Sequence, residues 1–74
     1  MSSENILKEF GQHLKNIRVS RNLSQEKLSQ IADLDRTYIS GVERGVRNIS
    51  LINIVRLAEA LEVPPSELFL FGES

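Results

Sequence analysis

One stretch decides the fold of this chain, residues 24–45, and it reads SQEKLSQIADLDRTYISGVERG. Apolar side chains recur in it at the three- and four-residue spacing that marks one face of an α-helix. Ser24 and Asp35 each precede one of these runs, and short polar side chains in that place cap a helix by accepting a backbone N–H. The stretch therefore predicts two short helices, over about residues 25–31 and 36–43.

The two predicted helices are joined by a turn of about three residues, which is the spacing of a helix-turn-helix. The same pair also occurs in proteins that never bind DNA, so the surface of the second helix has to decide. In the first helix we expect Leu28 and Ile31 to face the core. In the second, Ile39, Val42 and the ring of Tyr38 fall on the core side. The opposite side carries hydroxyl groups, a glycine and arginines, namely Arg36, Thr37, Ser40, Gly41 and Arg44.

That polar side of the second helix is suited to the DNA major groove. Arginine can donate two hydrogen bonds to a guanine, threonine can place its methyl group against a thymine, and serine can bond either kind of base. Gly41 is unusual there, because a glycine inside a helix costs about 1 kcal/mol relative to alanine. We interpret Gly41 as a bare position that lets the helix approach base edges closely. The alternative is a close crossing with a neighbouring helix.

The rest of the chain also reads as helices. An amphipathic helix is predicted over residues 6–20. Ser50 is the predicted cap of a further helix, and Pro65 opens a last short one that runs from Ser66 to about Leu70. The inward residues of the two longer helices are Ile6, Phe10, Leu14 and Ile17, then Leu51, Ile54, Val55, Leu57, Ala58 and Leu61. We expect an all-α fold, a compact bundle of five short helices that makes one domain of the whole chain.

Length and charge restrict the classes of protein to consider. The chain has 74 residues, no cysteine, and no apolar run of the roughly 18 residues that a membrane span needs. Its formal net charge of −1 argues against nucleic acid, but residues 36–56 carry a net charge of +3 and residues 57–74 a net charge of −4. Such an asymmetry can form an anion-binding face, although chance clustering on a solvated surface gives the same pattern. We expect a cytoplasmic protein without membrane contact.

Residues for catalysis or metal binding are scarce. His13 is the only histidine, and we expect it to be solvated on the first helix. Asp33 and Asp35 are close in sequence, but helix capping accounts for Asp35, and no second set of ligands accompanies the pair. The sequence therefore predicts that the protein is not an enzyme and that it needs no cofactor, metal or small-molecule ligand.

From about Phe10 to Phe69 the sequence resembles the lambda-repressor/Cro-like (Xre) family of helix-turn-helix DNA-binding proteins. SQEKLSQIADLDRTYISGVERG matches the helix-turn-helix itself, at about residues 25–43. RTYISGVERGVRNISL, followed by LAEALEVPPSELF, is most similar to the controller proteins of restriction–modification systems. The resemblance implies a transcriptional regulator that binds a pseudo-palindromic operator in double-stranded DNA as a dimer. A DNA-binding antitoxin or a phage-type repressor is the alternative, since these share the scaffold.

The resemblance also implies which residues contact DNA. Gln25 would bond a phosphate, helped by the exposed N–H groups at the start of its helix. The residues that would reach base edges are Arg36, Thr37 and Ser40, and those that would meet the backbone or the groove near the operator centre are Arg44, Arg47 and Asn48. Tyr38 and Gly41 complete the candidate DNA-binding set.

Other positions follow or depart from the family pattern. Arg18 and Glu43 match an ion pair that, in the family, joins the first helix to the end of the recognition helix. Asp33 stands where many members have glycine, which suggests a left-handed residue in the turn, and Asn22 is a further candidate for that conformation. Pro64 stands where a capping serine is usual, which weakens the start of the last helix.

Apolar residues outside the predicted core suggest a homodimer. A single helix of this length reads only a few base pairs, too few to select one site in a genome. Ile52 points away from the core stripe of its helix, and Ile49 precedes it in the connecting loop. Phe69 and Phe71 lie in a run of four apolar residues that one small core cannot bury completely. The alternative is that Phe69 and Leu68 complete the core while Phe71 frays.

Overall fold

The computed structural model describes residues 2–72, which form four α-helices and one short 3-10 helix. The α-helices are α1 (Ser3–Ser20), α2 (Gln25–Ala32), α3 (Arg36–Glu43) and α4 (Leu51–Leu61), and the 3-10 helix η1 is Pro65–Phe69. The all-helical prediction is confirmed, but the last of the five predicted helices is a 3-10 helix. Pro64 stands at the cap position of η1 and supplies no side-chain hydrogen bond, so η1 starts without the cap that stabilises the beginning of each α-helix. No helix within residues 2–72 is long and apolar enough to cross a membrane.

Side-chain caps set where the α-helices begin. Ser24, Asp35 and Ser50 each accept a hydrogen bond from a backbone N–H of the following turn, as predicted. α1 begins earlier than predicted, because the hydroxyl of Ser2 accepts a hydrogen bond from the N–H of Asn5 at 3.1 Å.

Three residues other than glycine hold left-handed backbone conformations between helices. They are Asn22 (φ 59°), Asp33 (φ 57°) and Glu62 (φ 60°). Asn22 and Asp33 are predicted there, because short polar side chains tolerate this conformation. Glu62 has no such preference and was not predicted, although it ends α4 by donating its N–H to the carbonyl groups of Ala58 and Glu59. At each of these positions the chain leaves one helix in a direction that lets the next helix pack back against the core.

The core is built from residues of all five helices. Four residues predicted to face it are exposed instead, Ile6 at 40%, Ile31 at 49%, Leu51 at 72% and Val55 at 37%. Ile31 lies about 100° around α2 from the centre of its buried side. Leu51 is the first residue of α4, one turn before Ile54, where burial begins. The side chains that are almost completely buried are Leu14, Leu28, Ile39, Val42, Leu57, Leu61 and Leu68.

α1 lies directly against the end of α3. A Cβ atom on Gly11 would be 2.2 Å from the carbonyl oxygen of Val42 and 2.6 Å from that of Glu43, so only glycine fits this crossing. The groups approached are backbone atoms, which cannot turn aside as a flexible side chain can. The contact therefore sets the position of α3, the second helix of the helix-turn-helix, relative to α1.

The end of the chain is attached to α1 through His13. Its Nε2 donates a hydrogen bond to the carbonyl oxygen of Glu67 at 2.7 Å, and its ring faces that of Phe71. The prediction that His13 is solvated is therefore wrong. Phe71 also packs edge-on against Phe10, with ring centroids 5.9 Å apart, so it is half-buried against the core of its own chain and does not fray.

Candidate nucleic-acid interface

α3 begins with a cap, Asp35, that is hydrogen-bonded to one of the predicted DNA-binding side chains, Thr37. Asp35 Oδ1 accepts hydrogen bonds from the hydroxyl of Thr37 at 2.6 Å and from the N–H of Thr37 at 2.8 Å. Both bonds lower the pKa of the Asp35 carboxyl from its ordinary value, and the bond from the hydroxyl has the larger effect. The Thr37 hydroxyl is therefore engaged within the protein, and its methyl group is what remains to contact a base.

The open side of α3 carries cations that the rest of the protein does not neutralise. Arg36, the first residue of the helix, and Arg44, its C-terminal cap, are exposed. Within residues 2–72 neither guanidinium forms an ion pair, and Glu43, the acidic residue of α3, is bonded to Arg18. Ser40 lies between them and is half-buried. This side of α3 is polar and cationic as predicted, but Gly41 on it is not bare.

Gly41 is covered rather than bare, which corrects its sequence interpretation. Arg47, in the loop after α3, lies over Gly41 so closely that a Cβ atom on the glycine would be 2.5 Å from Arg47 Cγ. The loop turns back because the N–H groups of Val46 and Arg47 both donate to the carbonyl oxygen of Gly41, at 2.9 and 3.2 Å. Arg47 then continues across the ring of Tyr38, with its Cζ 5.0 Å from the ring centroid. The absence of a side chain at Gly41 therefore makes room for the Arg47 side chain and does not leave space for base edges.

Tyr38 connects the recognition helix α3 to α4. Its ring packs against the core, and its hydroxyl accepts a hydrogen bond from Nδ2 of Asn53 at 3.1 Å. The sequence does not predict this role of Asn53, since a polar residue at its position in α4 could equally well face solvent. Asn48 remains exposed, and its Oδ1 accepts from the N–H of Ile49 at 2.8 Å, which shapes the loop.

Gln25 points its amide nitrogen into the protein. Its Nε2 donates to Glu43 Oε1 at 3.0 Å, the same oxygen that accepts from Arg18 Nη2 at 3.0 Å. Arg18 Nε donates to the second oxygen, Glu43 Oε2, at 2.7 Å. Arg18 and Glu43, the two members of the pair implied by the family resemblance, thus contact each other directly. Together with Gln25 they join α1, α2 and α3 at one point.

A cleft of about 390 Å³ opens beside this junction. The residues that α1 contributes to it were not predicted as site residues. Their four- and three-residue spacing, which puts them on one side of a helix, was the signal available. The residues that line the cleft are Lys8, Gln12, Lys15, Gln25, Glu43 and Arg44.

A second cleft, of about 250 Å³, lies where the end of the chain meets α1. Glu9 and His13 are its ionisable residues, and His13 already bonds the carbonyl of Glu67. In the part of the chain that the structure describes, no three His, Asp or Glu side chains are grouped so that they could hold a metal ion.

Comparison with known proteins assigns this arrangement to a family. Residues 14–68 match the helix-turn-helix family. Control protein C.BamHI of Bacillus amyloliquefaciens is 51% identical over 93% of this chain and 86% of its own length. The crystal structure of restriction-modification controller protein C.AhdI from Aeromonas hydrophila covers 85% of this chain and 96% of its own, with a TM-score of 0.84 and 54% identity. The structure of the controller protein C.Esp1396I tetramer in complex with its natural 35-base-pair operator has a TM-score of 0.80 at 36% identity, over 86% of this chain and 84% of its own. This chain therefore belongs to the lambda-repressor/Cro-like helix-turn-helix family, in the group of restriction–modification controller proteins, and is a DNA-binding transcriptional regulator rather than an enzyme.

Proposed function

We propose that this chain is the controller of a restriction–modification system and regulates transcription by binding a pseudo-palindromic operator as a homodimer. The observation that carries the proposal is the open side of α3, where exposed arginines and small polar groups lie on a helix held rigidly by α1. The similar control and controller proteins support it, one of them in complex with an operator. Such an operator lies in the cytoplasm, and we expect the protein to act there.

Three residues of α3 are suited to reading bases. Arg36 begins the helix with a guanidinium that is free to donate two hydrogen bonds to a guanine. Thr37 offers its methyl group, because its hydroxyl caps the helix through Asp35. Ser40 follows one turn after Arg36, so the two lie along the same side of α3.

Residues around these three are suited to the DNA backbone. Arg44 and Asn48 are exposed at the end of α3 and in the loop after it. Arg47 is held over Tyr38 and Gly41, so little side-chain freedom is lost when it meets DNA. Gln25 donates its amide to Glu43, so its contact with a phosphate would come from its backbone N–H at the start of α2.

Exposed apolar residues next to α4 support a dimer. Ile52 is 68% exposed on α4, and Phe69 and Leu70 are half exposed at the end of η1, which packs against α4. Ile49 and Phe71, the other two residues predicted for the interface, are half-buried against the core and would form its edge. A two-fold dimer of helix-turn-helix units presents its recognition helices to half-sites about 34–36 Å apart.

The DNA-binding part of the proposal is tested by fluorescence anisotropy with a labelled duplex taken from upstream of the gene, against a scrambled duplex of equal length. We expect tight binding to the first, and an affinity for both that falls steeply with salt, because each phosphate contact releases counterions. Absence of any preference for the upstream duplex at low salt would contradict the proposal.

The dimer is tested by sedimentation of the purified protein at micromolar concentration. Ile52→Glu places a charge in the proposed interface and should give monomers that bind the operator weakly. Val19→Glu is the matched control, since Val19 is also exposed, at 54%, but lies on α1. A dimer that survives Ile52→Glu would place the interface elsewhere.

A further inference from the structure

The α1 side of the cleft beside α3 has no role in the interface proposed so far, whereas Gln25 and Arg44 on its other sides do. It has a volume of about 390 Å³ and lies between α1, the start of α2 and the end of α3. Three of its lining residues, Lys8, Lys15 and Arg44, are basic, and only Glu43 is acidic.

Close packing holds the α1 side of the cleft in place. Lys8 and Lys15 lie seven residues apart, two turns along one side of α1. The glycine crossing at Gly11 presses α1 against the end of α3. The stem of Lys8 also lies on the loop after α3, because a Cβ atom on Gly45 (φ +77°) would be 2.7 Å from Lys8 Cγ. Lys8 is therefore held beside the end of α3 by contacts that depend on two glycines, and Lys15 follows two turns later on the same side of α1.

The positive charge of the cleft is not balanced from within the protein. Both carboxylate oxygens of Glu43 already accept hydrogen bonds, from Arg18 and from Gln25. Within residues 2–72 the only ion pair is Arg18–Glu43, so neither Lys8 nor any other base of the cleft has an acidic partner. Cations brought together in this way repel one another unless an anion joins them.

We propose that this cleft binds a phosphate of the DNA backbone, and that Lys8 and Lys15 supply charge for it together with Arg44. The inference rests on the proposed DNA-binding function and extends the interface from α3 onto α1. A phosphate looks the same at every base pair, so this contact positions the recognition helix and does not select a sequence.

The experiment compares the wild-type protein with Lys8→Gln, Lys15→Gln and the double variant, by anisotropy with operator and scrambled duplexes over about 50 to 200 mM salt. Each neutralised phosphate contributes about 0.9 to the slope of log Kd against log salt, and each cleft binds one phosphate, so the double variant should lower that slope by about 0.9 per bound subunit. Its affinity should fall by a similar factor on both duplexes. Both side chains are exposed, so the melting temperature should not change.

Arg21→Gln also removes one positive charge and is the control for the two single variants. Arg21 follows α1 and, at 100° per residue, falls about 130° around from the side that bears Lys8 and Lys15. We expect this variant to keep the wild-type slope. If it lost as much slope as Lys8→Gln or Lys15→Gln, only the total charge of the protein would matter, and the proposal would be overturned. A wild-type slope in the double variant would overturn the cleft as a phosphate site and leave the DNA-binding function standing. Failure of the wild-type protein to bind either duplex would overturn both.

A second measurement separates backbone phosphate from free phosphate. Neutral methylphosphonate linkages are placed one at a time along a half-site. At one position the linkage should weaken binding of the wild-type protein but should not weaken binding of the double variant any further. If no linkage behaves in this way, the assignment to the DNA backbone is wrong. Inorganic phosphate should shift the amide resonances near Lys8 and Lys15 in the free protein, compared with chloride at equal ionic strength, but not in the operator complex. Saturable shifts in the complex would make the cleft a site for a free anion and overturn the proposal.

Discussion

Arg18 of α1 and Glu43 of α3 form a buried pair with two parallel hydrogen bonds, Nε to Oε2 at 2.7 Å and Nη2 to Oε1 at 3.0 Å. Their side chains are only 9% and 2% exposed. The remaining nitrogen, Nη1, donates to the carbonyl oxygen of Leu23 at 2.7 Å. The hydrogen bonds to Glu43 raise the pKa of Arg18, which keeps the guanidinium charged. Because α3 ends at this pair, the pair helps to set the angle at which the recognition helix meets DNA.

Removing one member of the pair should cost far more than removing both. In Arg18→Met the Glu43 carboxylate stays buried without its cation, and we expect a loss of about 3–5 kcal/mol in the free energy of unfolding, measured with urea. The double variant Arg18→Met/Glu43→Leu should lose much less than the sum of the two single changes. A cost below about 1 kcal/mol for Arg18→Met, as at a surface ion pair, would contradict the buried geometry.

Gly11→Ala should destabilise the protein although alanine favours helices. The new Cβ would lie 2.2 Å from the carbonyl oxygen of Val42, which forces α1 away from α3. We expect a loss of about 1–3 kcal/mol in urea unfolding, the usual range for overpacking. Operator affinity should fall too, because the position of α3 depends on this crossing. A gain in stability, as helix propensity alone would give, would show that the crossing can relax.

Gly41→Ala tests whether Arg47 covers the glycine. Alanine should add up to about 1 kcal/mol through helix propensity, but its Cβ would displace the Arg47 stem from Tyr38. In the Arg47→Ala background nothing is displaced, so Gly41→Ala should stabilise that variant more than it stabilises the wild type. Thermal unfolding of the four proteins measures the difference. Equal effects in the two backgrounds would mean that Arg47 does not occupy this position in solution.

Asp35 should make the stability of the protein depend on pH in the acid range. The hydrogen bonds from Thr37 lower the pKa of Asp35 in the folded state, so its contribution is present above the ordinary aspartate pKa, near 3.9, and is lost as pH falls through the lowered value. Asp35→Asn keeps a capping side chain without this titration. The gap in melting temperature between the two proteins should be constant above about pH 5 and should narrow at lower pH. Asp33→Asn is the control, because Asp33 is the left-handed residue that ends α2 and its side chain caps no helix start.

Arg36→Ala should relax sequence selection at one base pair of each half-site. If Arg36 bonds a guanine, the change costs about 1–3 kcal/mol on the operator and little on scrambled DNA. Arg44→Ala should weaken both duplexes alike, since a phosphate contact carries no sequence information. Anisotropy titrations with single-base operator variants measure this, and equal losses for Arg36→Ala on operator and scrambled DNA would reduce Arg36 to a phosphate contact.

The sequence by itself determined where α2, α3 and α4 begin and that Asn22 and Asp33 are left-handed. Ser24 caps α2 and Asp35 caps α3 through N–H groups no more than three residues away, and the left-handed conformation of Asp33 follows from its own side chain. Arg36, the first residue of α3, is exposed as predicted, because the helix repeat places it on the side of α3 opposite the core. These features are local, so the identity of a few neighbouring residues is enough to predict them.

Only the tertiary structure decided which polar groups are already occupied. Gln25 bonds Glu43 across 18 residues, and His13 bonds the carbonyl of Glu67 across 54. Gly41 lies on the side of α3 that the helix repeat predicts, yet the loop after α3 lays Arg47 over it. No periodicity in a single segment encodes such contacts. They depend on how far each helix extends before the chain turns back, and on how closely glycines let the helices approach one another.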